Sequence, residues 1–167
     1  MCSFAGFCSF AKGCSFAKGC SFAEWCSFAG FCSFAKWCSF AKGCSFAEGC
    51  SFAEGCSFAE GCSFAEGCSF AKGCSFAKGC SFAEGCKAVS PYWSFQYKPP
   101  FKTEGKIYPT PDSRPYWNER LKEFGLQFET ECYDEIEEII TPKIPEILKS
   151  NKWTECERGI LESWRAE

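Results

Sequence analysis

With 167 residues, 46% of them hydrophobic, the chain is too rich in apolar side chains to be a generic disordered polypeptide. Its mean hydropathy of -0.18 and the lack of a long uninterrupted apolar run exclude a transmembrane helix. The net charge of -3 divides into six Lys and six Glu over residues 1–86, and twelve Lys/Arg and fifteen Asp/Glu over 87–167. Neither part is a basic patch, so no nucleic-acid and no membrane partner is expected.

From Met1 the chain runs directly into a six-residue word, Cys-Ser-Phe-Ala-x-y, with none of the basic stretch, apolar core and cleavage site of a secretory signal. A cytoplasmic protein is therefore expected. Fourteen full copies run from Cys2 to Gly85, and a fifteenth begins at Cys86 and breaks off. In an α-helix a step of six residues turns about 600°, so successive Phe would point in three directions and form no stripe. Gly as the sixth letter in ten of the fourteen copies weakens a helix further. In extended chain, six is an even period: Cys and Phe, two apart, fall on one side and Ser faces the other way. A strand this short cannot bury its face alone, so the words must coil and stack, each pairing in parallel with strands about 4.8 Å away. The reading is a parallel β-solenoid over 1–86, a Pro- and aromatic-rich connector and cap over 87–112, and a small, mostly α-helical domain over 113–167.

The frame Phe-Ala-x-y-Cys-Ser, kept from Phe4 to Gly85, resembles the hexapeptide repeat of left-handed β-helix proteins. The resemblance implies three words per triangular coil, and so nearly five coils. Phe stands where that family usually has Leu, Ile or Val, which leaves a four-sided coil as the alternative. Many members of the family are acyltransferases with a histidine general base; this chain has no His, so the resemblance carries fold and no catalysis. Ser-His and Cys-His nucleophile systems are excluded on the same residue count, and no enzymatic activity is expected.

With three sides, the variable letters sort into columns spaced by eighteen residues. One column, Gly6, Glu24, Lys42, Glu60 and Lys78, alternates in sign, so opposite charges stack on neighbouring coils. Another, Lys12, Gly30, Glu48, Glu66 and Glu84, stacks three carboxylates, read as a solvated edge in preference to a cation site. Aromatic sixth letters occur only at Phe7, Trp25, Phe31 and Trp37, a belt near the N-terminal end. It marks a contact surface or local packing over the corners.

The repeat cysteines are Cys2, Cys8, Cys14, Cys20, Cys26, Cys32, Cys38, Cys44, Cys50, Cys56, Cys62, Cys68, Cys74, Cys80 and Cys86. The leading reading is packing, with Cys as the small inward residue beside Phe, needing no cofactor. The alternative is a thiol store for a soft metal, Cu(I). Zinc and iron–sulfur sites are disfavoured by the lack of any Cys-x-x-Cys pair and of His. A third reading is covalent, through disulfides or thioethers: the Cys-Ser-Phe-Ala-Glu copies resemble the Cys-x-x-x-Asp/Glu motif of some radical-SAM-modified peptides. Against it, Lys replaces the acid in six copies.

Beyond Cys86, Tyr92, Trp93, Phe95 and Tyr97 are expected to pack an extended segment against the last coil. A helix is expected from about Ser113, with Pro115 in its first turn, Leu121 and Phe124 on one face and Gly125 ending it. The four-residue rhythm of Phe128, Cys132, Ile136 and Ile140 predicts a second helix, and Thr141-Pro142 a restart. Thr154 and Glu157 form a capping-box pattern before a last helix that buries Ile160 and Trp164. Cys132 and Cys156 fall on apolar faces and read as core. No catalytic constellation appears. Such a domain suits docking onto the solenoid, a second copy or a partner protein, and the whole reads as a structural or assembly element.

Overall fold

The computed structural model describes residues 1–93, 101–110, 113–129 and 133–165. Strands β1 to β14 are the fourteen Ser-Phe pairs, one per word, from Ser3–Phe4 to Ser81–Phe82. Each pairs in parallel with the strand three words away: Ser3 lies opposite Ser21 and Phe4 opposite Phe22, and the same register recurs at Ser57 and Ser75. Three words therefore close one coil, and the strands form three parallel sheets. The four-sided alternative is overturned by this eighteen-residue register. Backbone bonds tie the coils together, as where the Ser39 and Ala41 amides donate to the Cys20 and Phe22 carbonyls at 2.9 Å.

The strands stop after two residues because the sixth letter turns the corner in the left-handed region. Gly holds φ between 66° and 77° at ten corners. Ser faces outward, and its hydroxyls link coil to coil, Ser21 to Ser39 and Ser45 to Ser27 each at 3.3 Å. The first-letter Cys and third-letter Phe of each word face inward, and from Cys20 to Phe76 none of these is more than 3% exposed.

Three phenylalanines per coil fit because the rings repeat with the backbone. Phe46 stacks on Phe28 with centroids 4.9 Å apart and planes 4° from parallel, and on Phe64 in the same way. It meets Phe40 and Phe52 edge to face, at 4.9 Å and 88°. Each column thus stacks at the strand spacing, while the columns interlock in the edge-on geometry that the ring quadrupole favours.

Past Cys86, β15 (Lys87–Val89), β16 (Tyr92–Trp93), β17 (Lys102–Glu104) and β18 (Tyr108–Pro109) extend two of the three sheets. Ala88 lies opposite Phe70 and Trp93 opposite Phe76. Phe101 packs 4.5 Å from Phe82, with Trp93 5.7 Å from the same ring, so the chain covers its own last phenylalanines. Phe95 and Tyr97 lie outside the described residues, as does Cys132.

Helix α1 (Arg114–Leu121) runs into a 3-10 turn at Lys122–Phe124, and Gly125 ends it at φ 70°. Helix α2 covers Tyr133–Ile140, a 3-10 turn covers Thr141–Lys143, and α3 and α4 cover Ile144–Ile147 and Glu155–Glu162. The four-residue rhythm overreaches at its start. Phe128 is buried but lies ahead of α2, where the Asn118 side chain bonds both its N–H and its carbonyl, at 2.6 and 3.1 Å. The capping box at Thr154 and Glu157 is formed. Helix α4 is pinned to the solenoid end: the Trp164 indole donates to the Ile107 carbonyl at 2.8 Å, and Ile107 donates to Ser163 Oγ at 3.1 Å.

Candidate interaction surface

The belt residues all occupy corner positions that are glycine elsewhere. Phe7, Trp25, Phe31 and Trp37 have φ of 58°, 62°, 59° and 60°, the left-handed region that bulky L-residues avoid. Trp25, Phe31 and Trp37 stand on the three successive corners of one coil, so they form a collar around the rod and not a single patch. Each ring leans over the corner glycine of the next coil. A Cβ added at Gly43 would lie 2.4 Å from the Trp25 ring, at Gly49 2.7 Å from Phe31, and at Gly55 2.4 Å from Trp37.

Even so seated, Trp25, Phe31 and Trp37 remain 50%, 52% and 54% exposed, and Phe7 80%. Packing over the corner therefore accounts for about half of each collar ring. Two lysines of the preceding coil lean onto the collar, Lys18 with its ammonium 4.0 Å from the Trp37 centroid and Lys12 4.8 Å from Phe31. The glycine seats had no signal in the linear sequence beyond the column spacing, because which neighbouring coil a corner ring leans toward depends on the coil geometry.

The charged columns behave as stacked edges. Lys36 Nζ lies 3.0 Å from Glu54 and Lys42 Nζ 3.8 Å from Glu24, all four side chains about half exposed. The hydrogen bond from Lys36 holds the Glu54 carboxyl below its ordinary value. Glu48, Glu66 and Glu84 stand one per coil, all exposed. Among the described residues, no group of three or more Cys, Asp or Glu is placed to hold a metal ion.

The repeat cysteines stand in three inward files. Each thiol from Cys26 to Cys86 donates to an alanine carbonyl twenty-one residues earlier, as Cys44 to Ala23 at 3.5 Å and Cys86 to Ala65 at 3.3 Å. Burial pushes the Cys26 and Cys32 thiols up and Cys38 to about 11. Further along, hydrogen bonds to Cys50 and Cys86 raise Cys68, and the same contacts pull those two thiols down. The sixteen described cysteines are all free thiols; Cys2 is exposed, and Cys8, Cys14, Cys80 and Cys156 are partly so.

No protein-family model matches the chain, and neither a curated protein nor a solved structure matches it. What is defined is the class: a three-sided parallel β-solenoid of six-residue words, followed by a short helical region. No helix among the described residues is long and apolar enough to cross a membrane.

Proposed function

We propose that this chain is a structural and assembly element, a rigid rod that associates with further copies of itself or with a partner protein through its collar, an end or the helical region. It carries no catalytic role in this reading. The near-identity of the words supports it: every coil offers the same inward and flat-face side chains, which suits a function set by length and stiffness. We take the coil to be left-handed, as in the hexapeptide-repeat proteins that the word resembles. Free thiols bonded to alanine carbonyls support a packing role in a reducing, cytoplasmic setting.

The observation that carries the reading is the collar. A non-glycine residue in the left-handed region costs about 1–2 kcal/mol, and ten other corners show that Gly satisfies the fold. Seating half of each ring on the next corner offsets that cost within the chain; the exposed half of three rings, on the corners of one coil, is what supports contact with something outside it. The test is sedimentation analysis of the full chain across a wide concentration range, beside a Trp25→Gly/Phe31→Gly/Trp37→Gly variant. Association of the parent, lost in a variant that is still fully folded, supports the proposal; an equally associating variant removes the collar from it.

A second use of the thiol files is Cu(I) storage, favoured by the density of thiols alone. Elemental analysis of protein purified without added metal separates the two, since stoichiometric copper would move the cysteines from packing to chemistry.

A further inference from the structure

Charge is segregated along the rod. Residues 1–42 carry Lys12, Lys18, Lys36 and Lys42 against Glu24 alone, a net +3; residues 43–85 carry Lys72 and Lys78 against Glu48, Glu54, Glu60, Glu66 and Glu84, a net -3. One corner shows this most sharply. Read coil by coil, it presents Lys12, then Phe31, then Glu48-Gly49, Glu66-Gly67 and Glu84-Gly85.

The two ends of that corner differ in shape as well as in charge. At the basic end Phe31 stands half exposed beneath the Lys12 ammonium. At the acidic end the corner is bare: a Cβ at Gly67 would meet nothing within 4 Å. Phe31 itself rests on Gly49, which shows that a left-handed glycine corner is a seat for a phenyl ring.

We propose that this corner pairs with the same corner of a second copy, antiparallel, with Phe31 of each seated on Gly67 of the other and Lys12 facing Glu84. The inference rests on the self-association reading and specifies the surface and orientation. A two-fold axis perpendicular to the rod satisfies both halves at once. Parallel alignment would set Lys12 against Lys12 and each glutamate against its copy, the repulsive arrangement. The column from Gly6 to Lys78 also complements itself antiparallel, in another register that pairs Glu24 with Lys78 and Lys42 with Glu60. There, however, Trp25 would face Gly79, where an added Cβ already meets the Gly61 backbone at 3.7 Å, and not a bare corner like Gly67. The column of Lys18, Lys36, Glu54 and Lys72 sets lysine against lysine in either nearby antiparallel register. In the proposed register Glu48 meets its own copy across the axis while Lys12 meets Glu84, a combination that the parallel arrangement, with Lys12 on Lys12, does not share.

The experiment is sedimentation equilibrium of the full chain at low and moderate salt. A dimer is expected, weakened by salt because the pairs are exposed. Lys12→Glu should raise Kd about tenfold, and adding Glu84→Lys should restore it. Phe31→Gly should weaken the dimer without harming the fold, since Gly is the residue at home in that corner. Glu48→Gln should tighten it. Association untouched by Lys12→Glu and Phe31→Gly, or weakened by Glu48→Gln, overturns this surface and leaves self-association standing. A monomer at every concentration overturns the surface and self-association together.

Discussion

Gly55 and Gly61 have the same backbone, φ 73° and 72°, on neighbouring corners, yet a methyl group at each meets different surroundings. At Gly61 it would meet nothing within 4 Å, while at Gly55 it would lie 2.4 Å from Trp37 Cδ1. For Gly61→Ala only the backbone matters: about 1–2 kcal/mol for alanine in the left-handed region, offset by about 0.4–1 kcal/mol from the stiffer unfolded chain. The net cost is about 1 kcal/mol. Gly55→Ala carries the same cost and also lifts the Trp37 ring off its seat. With the ring about half buried, roughly 100 Å² returns to water, about 2.5 kcal/mol at about 25 cal/mol per Å². The contact with Lys18 adds about 0.5 kcal/mol more. Gly55→Ala is therefore expected to cost about 4 kcal/mol in urea unfolding followed by far-UV circular dichroism, and Gly61→Ala about 1. In a Trp37→Gly background the Gly55→Ala cost should fall to that of Gly61→Ala. Equal costs in the parent chain, or a Gly55→Ala cost unchanged by Trp37→Gly, would refute the seating of the ring.

Phe46→Ala should cost about 3–5 kcal/mol, because that ring touches stacked neighbours above and below; Phe4→Ala, at a half-buried ring of the first coil, should cost visibly less in the same assay. In the native protein an aromatic disulfide reagent should titrate Cys2 first, then Cys8, Cys14, Cys80 and Cys156 slowly, and the remaining repeat thiols only after unfolding; rapid titration of Cys38 or Cys44 would contradict their burial. Glu157 is 2% exposed. Burial pushes its carboxyl up, but hydrogen bonds from Arg120, Tyr116 and Thr154 prevail and hold it at about 2. A depressed carboxyl contributes stability above its unfolded pKa, near 4.5, and loses it as pH falls toward the folded value, here up to about 3 kcal/mol. A Glu157→Gln chain should therefore be less stable than the parent at neutral pH, and the gap should close between pH 4.5 and 2; a gap that persists in acid would mean that shape and not charge matters at this site.

The solenoid was legible because its period is short and even. Six residues force Cys and Phe onto one side of an extended chain, and the parity excludes a helix without any knowledge of the coil. The number of sides was less secure, since Phe volume alone argues against a triangle. What resolves it is ring orientation: flat rings stacked coil on coil occupy the section edge to face, a property of three chains of contacts that no single word contains. The capping box at Thr154 is local and could be read directly, whereas the start of α2 could not. Phe128 keeps the helical rhythm, yet its backbone is held by Asn118, ten residues away, and the rhythm records burial without recording backbone. The aromatic belt was visible as four exceptions to Gly, but its glycine seats were not, because each lies eighteen residues downstream across a coil.

Those exceptions bear on how such a rod acquires a function. An inward Phe contacts rings in the coils above and below and in both adjacent words, so changing one disturbs four or more neighbours, and the interior letters are held to a single solution. The corner letters touch at most the next corner. Variation confined to the fifth and sixth letters can therefore place charge and aromatic surface at any chosen height without altering the rod that carries it. On this logic, moving an aromatic residue from Trp37 to Gly61 should leave the coil intact and shift the contact surface up the rod, provided the corner above it remains glycine, as Gly79 is.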